Sequence, residues 1–246
     1  MVDDYKFPLA LPSADKHYMT LNREDALFIL HLHNDDNRFT TEFCEAILTA
    51  LRIVENTFLK ESPSEMALVT IGEGKIYSNG LDLANALAYP PFMDVYLLML
   101  RRVLTFCIPT VAALNGHAFA GGCMLALAHD YRVMRSDRGF ICMNEVDLPA
   151  PLAPGMAALL REKTTPATFR NMVLQGHRYS AQEALKENLV DVIAPGDQVL
   201  AKAKELALKW APKAQASVVY KQLKDEMYTD IVRQLSVPYH RLAPRM

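Results

Sequence analysis

Two glycine-punctuated stretches hold the residues of this chain that are placed to do chemistry. The first spans residues 108–130 and reads IPTVAALNGHAFAGGCMLALAHD. β-Branched Thr110 and Val111 give it an apolar strand over 109–114, Asn115-Gly116 breaks the strand, and Ala120-Gly121-Gly122 leads into an Ala- and Leu-rich helix over 123–128. The first N–H groups of such a helix have no intrahelical partner and lie at the positive end of its dipole. Glycine leaves room for a ligand to approach the backbone. The chemistry offered is stabilisation of an anion or oxyanion by backbone donors alone. The same glycines also fit a tight strand-to-helix turn packed inside an α/β core.

The second stretch repeats the layout. The run Ala67-Leu68-Val69-Thr70-Ile71 is apolar without alternation, as in a strand covered on both faces. It enters Gly72-Glu73-Gly74-Lys75-Ile76-Tyr77-Ser78-Asn79-Gly80-Leu81-Asp82-Leu83, a second glycine loop. Two buried strands, each ending in a glycine loop that opens a helix, would bring two backbone N–H groups to one point.

The elements that must hold these loops follow from the patterning. Residues 18–21 and 27–33 form a hairpin across Asn22-Arg23-Glu24-Asp25. After the polar loop Asn34-Asp35-Asp36-Asn37, the residues Phe43, Ile47, Leu48, Leu51, Val54 and Phe58 share one helical face, with Thr40 or Thr41 as cap. A helix over 92–106 precedes the first stretch, and short strands follow at 131–134 and 139–143. Beyond Pro154-Gly155 helices dominate (156–161, 166–175, 181–187, 199–210, 216–227), with an edge strand at 190–193. The expected organisation is one α/β core over 1–195 and a helical C-terminal region over 196–246. That region packs on the core or on a neighbouring subunit.

Composition narrows the function. A net charge of −2 without a Lys/Arg run gives nucleic acid no footing. Cys44, Cys107, Cys123 and Cys142 lack C-x-x-C pairing and read as free thiols, and no metal site is visible. The longest apolar runs are interrupted by Arg101-Arg102 or by the glycine turn, so no membrane span is expected. Asp3, Asp4 and Asp15 oppose a secretory signal or a mitochondrial transit peptide. Pro244-Arg245-Met246 shares the basic-then-apolar ending of the peroxisomal tripeptide signal but not its small hydroxyl residue. A peroxisomal location is expected on that basis, and a cytoplasmic one otherwise.

Ser78-Asn79-Gly80-Leu81-Asp82-Leu83 together with Asn115-Gly116-His117-Ala118-Phe119-Ala120-Gly121-Gly122-Cys123 resembles the two signature loops of the enoyl-CoA hydratase/isomerase (crotonase) family. The likeness extends over about residues 18–195. It implies a spiral of strand-strand-helix repeats, a helical C-terminal region, and assembly as a homotrimer or a pair of trimers. It also implies an acyl-CoA substrate, with CoA arriving as part of that substrate and no separate cofactor. The backbone N–H groups of Leu81 and Gly121 would form an oxyanion hole. Lys75, Ser78, Asn79, Gly80, Leu81, Asp82 and Gly121 would border the substrate.

The resemblance locates the base as well. Hydratases of the family use two glutamates. Here one position is Met124 and the other is Glu145, in Met143-Asn144-Glu145-Val146-Asp147. Hydration needs a water activated while carbon is protonated, a task shared by two carboxylates. Shifting a double bond from position three to position two needs one base that takes a proton from C2 and returns it to C4. A single Glu145 in a dry pocket points to an enoyl-CoA delta isomerase of unsaturated fatty-acid β-oxidation. Hydration, thioester hydrolysis and a catalytically silent acyl-CoA-binding protein are the competing functions.

Several residues keep a second reading. Asp147 competes with Glu145 as base, and Glu145 itself could be a surface or salt-bridged carboxylate. Asp82 fits a helix N-cap better than a catalytic acid, and His117 fits a structural role. Asp130 with Arg132 reads as an ion pair or a cap at a helix end. Lys75 lies where the family's first loop nears the CoA adenine and phosphates, and Lys221 and Lys224 could reach a CoA phosphate.

Overall fold

The alternation of buried apolar strands with amphipathic helices produces two sheets wrapped by helices. The structure is a computed structural model that describes residues 5–89, 91–148 and 151–239. Within them the strands are β1 (Leu9–Pro12), β2 (His17–Glu24), β3 (Leu27–Leu32), β4 (Ala67–Gly72), β5 (Ile76–Ser78), β6 (Thr110–Leu114), β7 (His117–Phe119), β8 (Tyr131–Arg135), β9 (Ile141–Cys142) and β10 (Val192–Ala194). The helices are α1 (Thr41–Glu61), α2 (Leu83–Ala88), α3 (Phe92–Leu104), α4 (Gly121–Ala128), α5 (Pro154–Lys163), α6 (Pro166–Gln175), α7 (Ala181–Lys186), α8 (Val199–Trp210), α9 (Ser217–Met227) and α10 (Thr229–Leu235). Pro244-Arg245-Met246 lies outside the described residues.

The larger sheet runs β1-β2-β3-β4-β6-β8-β10. Its first two pairings are antiparallel and the rest are parallel. Every residue of β6 is buried, and so is all of β4 but its last, because both faces of the sheet are covered. Phe28, Leu30, Leu68 and Ala112 face the main core with α1, α3 and α4. Ile29, Val69, Val111 and Val133 point the other way and meet Val199, Ala203 and Ala207 of α8. Residues beyond 195 thus cover the second face of the sheet.

Local signals act where the sequence places them. Thr40 caps α1 by accepting the Phe43 N–H at 3.2 Å, and Asp25, at φ 50°, turns β2 into β3. The pairing expected for Asp130 is different in the structure. Its carboxylate binds Lys224 of α9 at 2.8 Å and the Thr110 N–H at 2.9 Å, whereas Arg132 lies 3.4 Å from Asp191. Lys224 is buried in that contact and Lys221 is paired with Asp225 at 2.6 Å, so Lys224 is spent inside the fold and is not a phosphate ligand.

The smaller sheet is not evident from the patterning. It pairs β5, β7 and β9 in parallel, with Ser78 beside Ala118, Ala118 beside Ile141 and Phe119 beside Cys142. The sequence reads 115–122 as one loop, yet β7 interrupts it. Gly116 makes this possible, since a β-carbon there would stand 1.8 Å from the Lys75 carbonyl oxygen. The carboxyl ends of these three strands release residues 79–81, 120–121 and 144–145 to one side of the sheet, where Asn79, Leu81, Ala120, Asn144 and Glu145 border a single cavity.

Candidate active site

The loop after β5 is pinned by the segment before α1. The Ser78 hydroxyl donates to the Asn37 carbonyl at 2.7 Å, and Asn37, buried at φ 51°, donates its side-chain amide to the Tyr77 carbonyl at 3.1 Å. The Phe39 N–H donates to the Gly80 carbonyl at 2.8 Å, and the Asp82 N–H donates to the Phe39 carbonyl at 2.9 Å. Leu81 lies between these two bonds. Asp82 accepts the Asn85 N–H at 2.9 Å and so caps α2, as its sequence context suggests.

The loop after β7 carries strain. Ala120 has φ 49° and ψ −117°, a conformation glycine favours, and its N–H donates to the Cys142 carbonyl at 2.9 Å. Gly121 then begins α4. A β-carbon on Gly121 would lie 3.1 Å from the Leu81 side chain, and one on Gly122 would lie 2.3 Å from the Ser78 carbonyl oxygen. At Gly122, where the clash would be with backbone, only glycine lets the two loops approach this closely. Among the described residues, neither the Leu81 N–H nor the Gly121 N–H donates to a backbone carbonyl.

Glu145 follows β9 and opens a single 3-10 turn, Glu145–Asp147. Its Oε2 is buried and has no hydrogen-bond partner among the described residues, and the same holds for Asn144 Oδ1. Burial pushes the Glu145 carboxyl up to about 7, opposed only by a bond from its own backbone N–H. Asp147 is exposed, and its carboxylate lies 3.0 Å from where a β-carbon on Gly176, the C-cap of α6, would stand. Of the two rival carboxylates, Glu145 lines the cavity formed at these loop ends and Asp147 does not.

That cavity has a volume of about 600 Å³. Asn79, Leu81, Phe119, Ala120, Asn144 and Glu145 line it from the three loop ends. Leu83, Ala86, Met93, Leu148, Pro151, Met156 and Tyr239 give it a largely apolar wall, and Arg38 is the cation on it. Ser78, Gly80, Asp82 and Gly121, expected to border the substrate, are not among its lining residues. Lys75 is exposed and away from the lining, and its carbonyl accepts the His117 N–H at 3.0 Å. The His117 ring packs against those of Phe119 and Phe140, at 4.8 and 5.8 Å. Met124 is fully buried in the main core and does not reach the cavity.

Arg38, Asn144, Met156 and Tyr239 carry little sequence signal as lining residues. Arg38 ends a polar loop and pairs with Asp36 at 2.8 Å, and Tyr239 is brought in by a bond from its backbone N–H to Asp94 Oδ1 at 2.6 Å. Among the described residues no cluster of His, Cys, Asp and Glu could hold a metal ion, and no helix is long and apolar enough to cross a membrane.

Two glycine loops with free N–H groups and a desolvated carboxylate, gathered at the ends of a small parallel sheet, are the marks of a crotonase-like fold. The chain belongs to the enoyl-CoA hydratase/isomerase family, whose profile matches residues 22–240. Within that family it is similar to enoyl-CoA delta isomerase 3 of Arabidopsis thaliana, 32% identical over 91% of this chain and 98% of that protein. It is also similar to the peroxisomal enoyl-CoA delta isomerase 1 of the same plant, 36% identical over 70% of this chain and 73% of that protein. Among solved structures, human mitochondrial delta3-delta2-enoyl-CoA isomerase superposes with a TM-score of 0.78 at 22% identity, covering 89% of this chain and 86% of that one. An apo enoyl-CoA isomerase of Mycobacterium tuberculosis superposes with a TM-score of 0.82 at 21% identity, over 93% and 99%.

Proposed function

We propose that this protein is an isomerase that moves the double bond of 3-enoyl-CoA esters to the 2-position, using Glu145 as its one acid/base. The observation that carries the reading is that Glu145 is the only carboxylate among the described residues lining the cavity, with a buried, unpartnered oxygen and a carboxyl raised to about 7. A base with that affinity for protons can take one and give it back near neutral pH.

In the proposed reaction, Glu145 removes a proton from C2 of the bound thioester. Charge moves to the thioester oxygen, where the Leu81 and Gly121 N–H groups stabilise it; each such donor is typically worth ~10²–10³ in rate. Glu145 then returns the proton to C4. The apolar wall keeps water from the carboxyl between the two transfers. CoA enters and leaves with the substrate, and Asn79 and Arg38 offer polar contacts to it.

A peroxisomal setting in β-oxidation is part of the proposal, and its support is the word "peroxisomal" in the names of two relatives. Assembly as trimers is proposed from the family likeness and from Val219, Leu223 and Met227, exposed at helical spacing along α9.

The test is conversion of 3-hexenoyl-CoA to conjugated 2-hexenoyl-CoA, followed by absorbance in wild type and Glu145→Gln, with product analysis for 3-hydroxyacyl-CoA. Conjugation that disappears in the variant, without hydroxy product, supports the isomerase. Hydroxy product from wild type would establish a hydratase instead. Acyl-CoA binding without turnover in either protein would leave a binding protein.

A further inference from the structure

The two uncommitted N–H groups belong to loops far apart in sequence, and one aromatic pair touches both. Tyr96, on α3, is fully buried and its hydroxyl donates to the Gly121 carbonyl at 3.0 Å. Its ring centroid is 5.3 Å from that of Phe39, whose own backbone bonds bracket Leu81 through Gly80 and Asp82. Phe92 also stacks on the Tyr96 ring, at 6.3 Å.

Resting on the oxyanion hole proposed above, we infer that Tyr96 is a positioning residue for it: the hydroxyl fixes Gly121 while the ring, packed at a 50° tilt against Phe39, keeps that donor in register with Leu81. Gly121 needs such a fixture. It has no side chain to restrict its torsions, and it follows Ala120, which is held at φ 49° and ψ −117°. The Ala120 N–H on the Cys142 carbonyl holds one side of this turn, and the Tyr96 hydroxyl holds the other. Packing does not call for that hydroxyl. Phenylalanine would fill the same volume without burying an oxygen whose desolvation a single bond only roughly offsets. What the hydroxyl adds is a defined orientation, and donors stabilise a developing oxyanion only when they already stand at hydrogen-bond distance from it.

The experiment compares Tyr96→Phe with wild type in two ways. With 3-hexenoyl-CoA, kcat should fall by about tenfold while KM stays within about twofold, because the lost interaction acts on the transition state. With hexanoyl-CoA, which has no double bond to move, the infrared stretch of an isotope-labelled thioester carbonyl should shift in the variant toward its frequency in water. Phe39→Leu, which keeps the backbone bonds and removes the ring contact, should shift it in the same direction by less. A Tyr96→Phe protein with wild-type kcat and wild-type carbonyl frequency, altered only in Tm, would overturn the inference and leave Tyr96 a structural residue. If wild type does not isomerise 3-hexenoyl-CoA, the functional reading fails, while the carbonyl frequency still reports whether Tyr96 positions the donors.

Discussion

A β-carbon on Gly80 would stand 3.0 Å from the backbone nitrogen of Gly121. Gly80 also has φ 84°, so alanine there is strained even before it meets its neighbour. We expect Gly80→Ala to lose about 1–2 kcal/mol of stability from the backbone alone. Turnover should fall further than stability, because the new methyl group presses on the Gly121 donor. Denaturation midpoints and kcat measured on one preparation separate the two effects. Unchanged kcat would show that the loops do not act as one unit.

The pH dependence follows from the raised Glu145 carboxyl. Activity requires the carboxylate, so kcat/KM should climb with pH and level off above about 7. Stability runs in the opposite sense. Between the ordinary value of 4.5 and about 7, the folded protein keeps a proton that the unfolded chain has released. Stability from this group therefore falls as pH rises through that window, by on the order of 3 kcal/mol in total. Glu145→Gln lacks this component. Relative to wild type it should gain stability between about pH 4 and about pH 8, as read by urea unfolding at each pH. A constant difference would mean that the carboxyl is not desolvated.

Met124 stands at the position where hydratases of the family place a glutamate, but its side chain is buried in the core. Met124→Glu should therefore produce a damaged isomerase and no hydratase. An unpaired carboxylate there should cost about 3 kcal/mol or more at neutral pH, with part of the loss recovered in acid as the group takes up a proton. Hydroxyacyl-CoA production by a stable variant would contradict this.

Tyr239 forms part of the apolar wall and is held there through its backbone, so removing its ring leaves the bond to Asp94 intact. Tyr239→Ala should enlarge the acyl site. The ratio of kcat/KM for 3-decenoyl-CoA over 3-hexenoyl-CoA should rise by roughly tenfold, the value of one or two newly accommodated methylenes. A ratio equal to that of wild type would place the acyl chain elsewhere in the cavity.

The sequence by itself determined the pieces. Runs of buried residues without alternation marked β4 and β6, helical spacing from Phe43 to Phe58 marked α1, and the glycines at 80, 116, 121 and 122 marked the places where backbone would meet backbone. These signals are local, set by period and by the absence of a β-carbon. Glu145 and the donor positions came from likeness to a family, which the comparisons established as the chain's own. Only the tertiary structure separates the surroundings of Glu145, which lines the cavity, from those of Asp147, which is exposed, because the two are neighbours in sequence. It alone revealed the β5-β7-β9 sheet, whose strands of two or three residues are too short to show a period. It alone brought in Arg38, Met156 and Tyr239, and it paired Asp130 with Lys224 and not with Arg132. Burial, and with it the raised carboxyl of Glu145, belongs to residues that meet across the fold, and no pattern along one strand or helix encodes it.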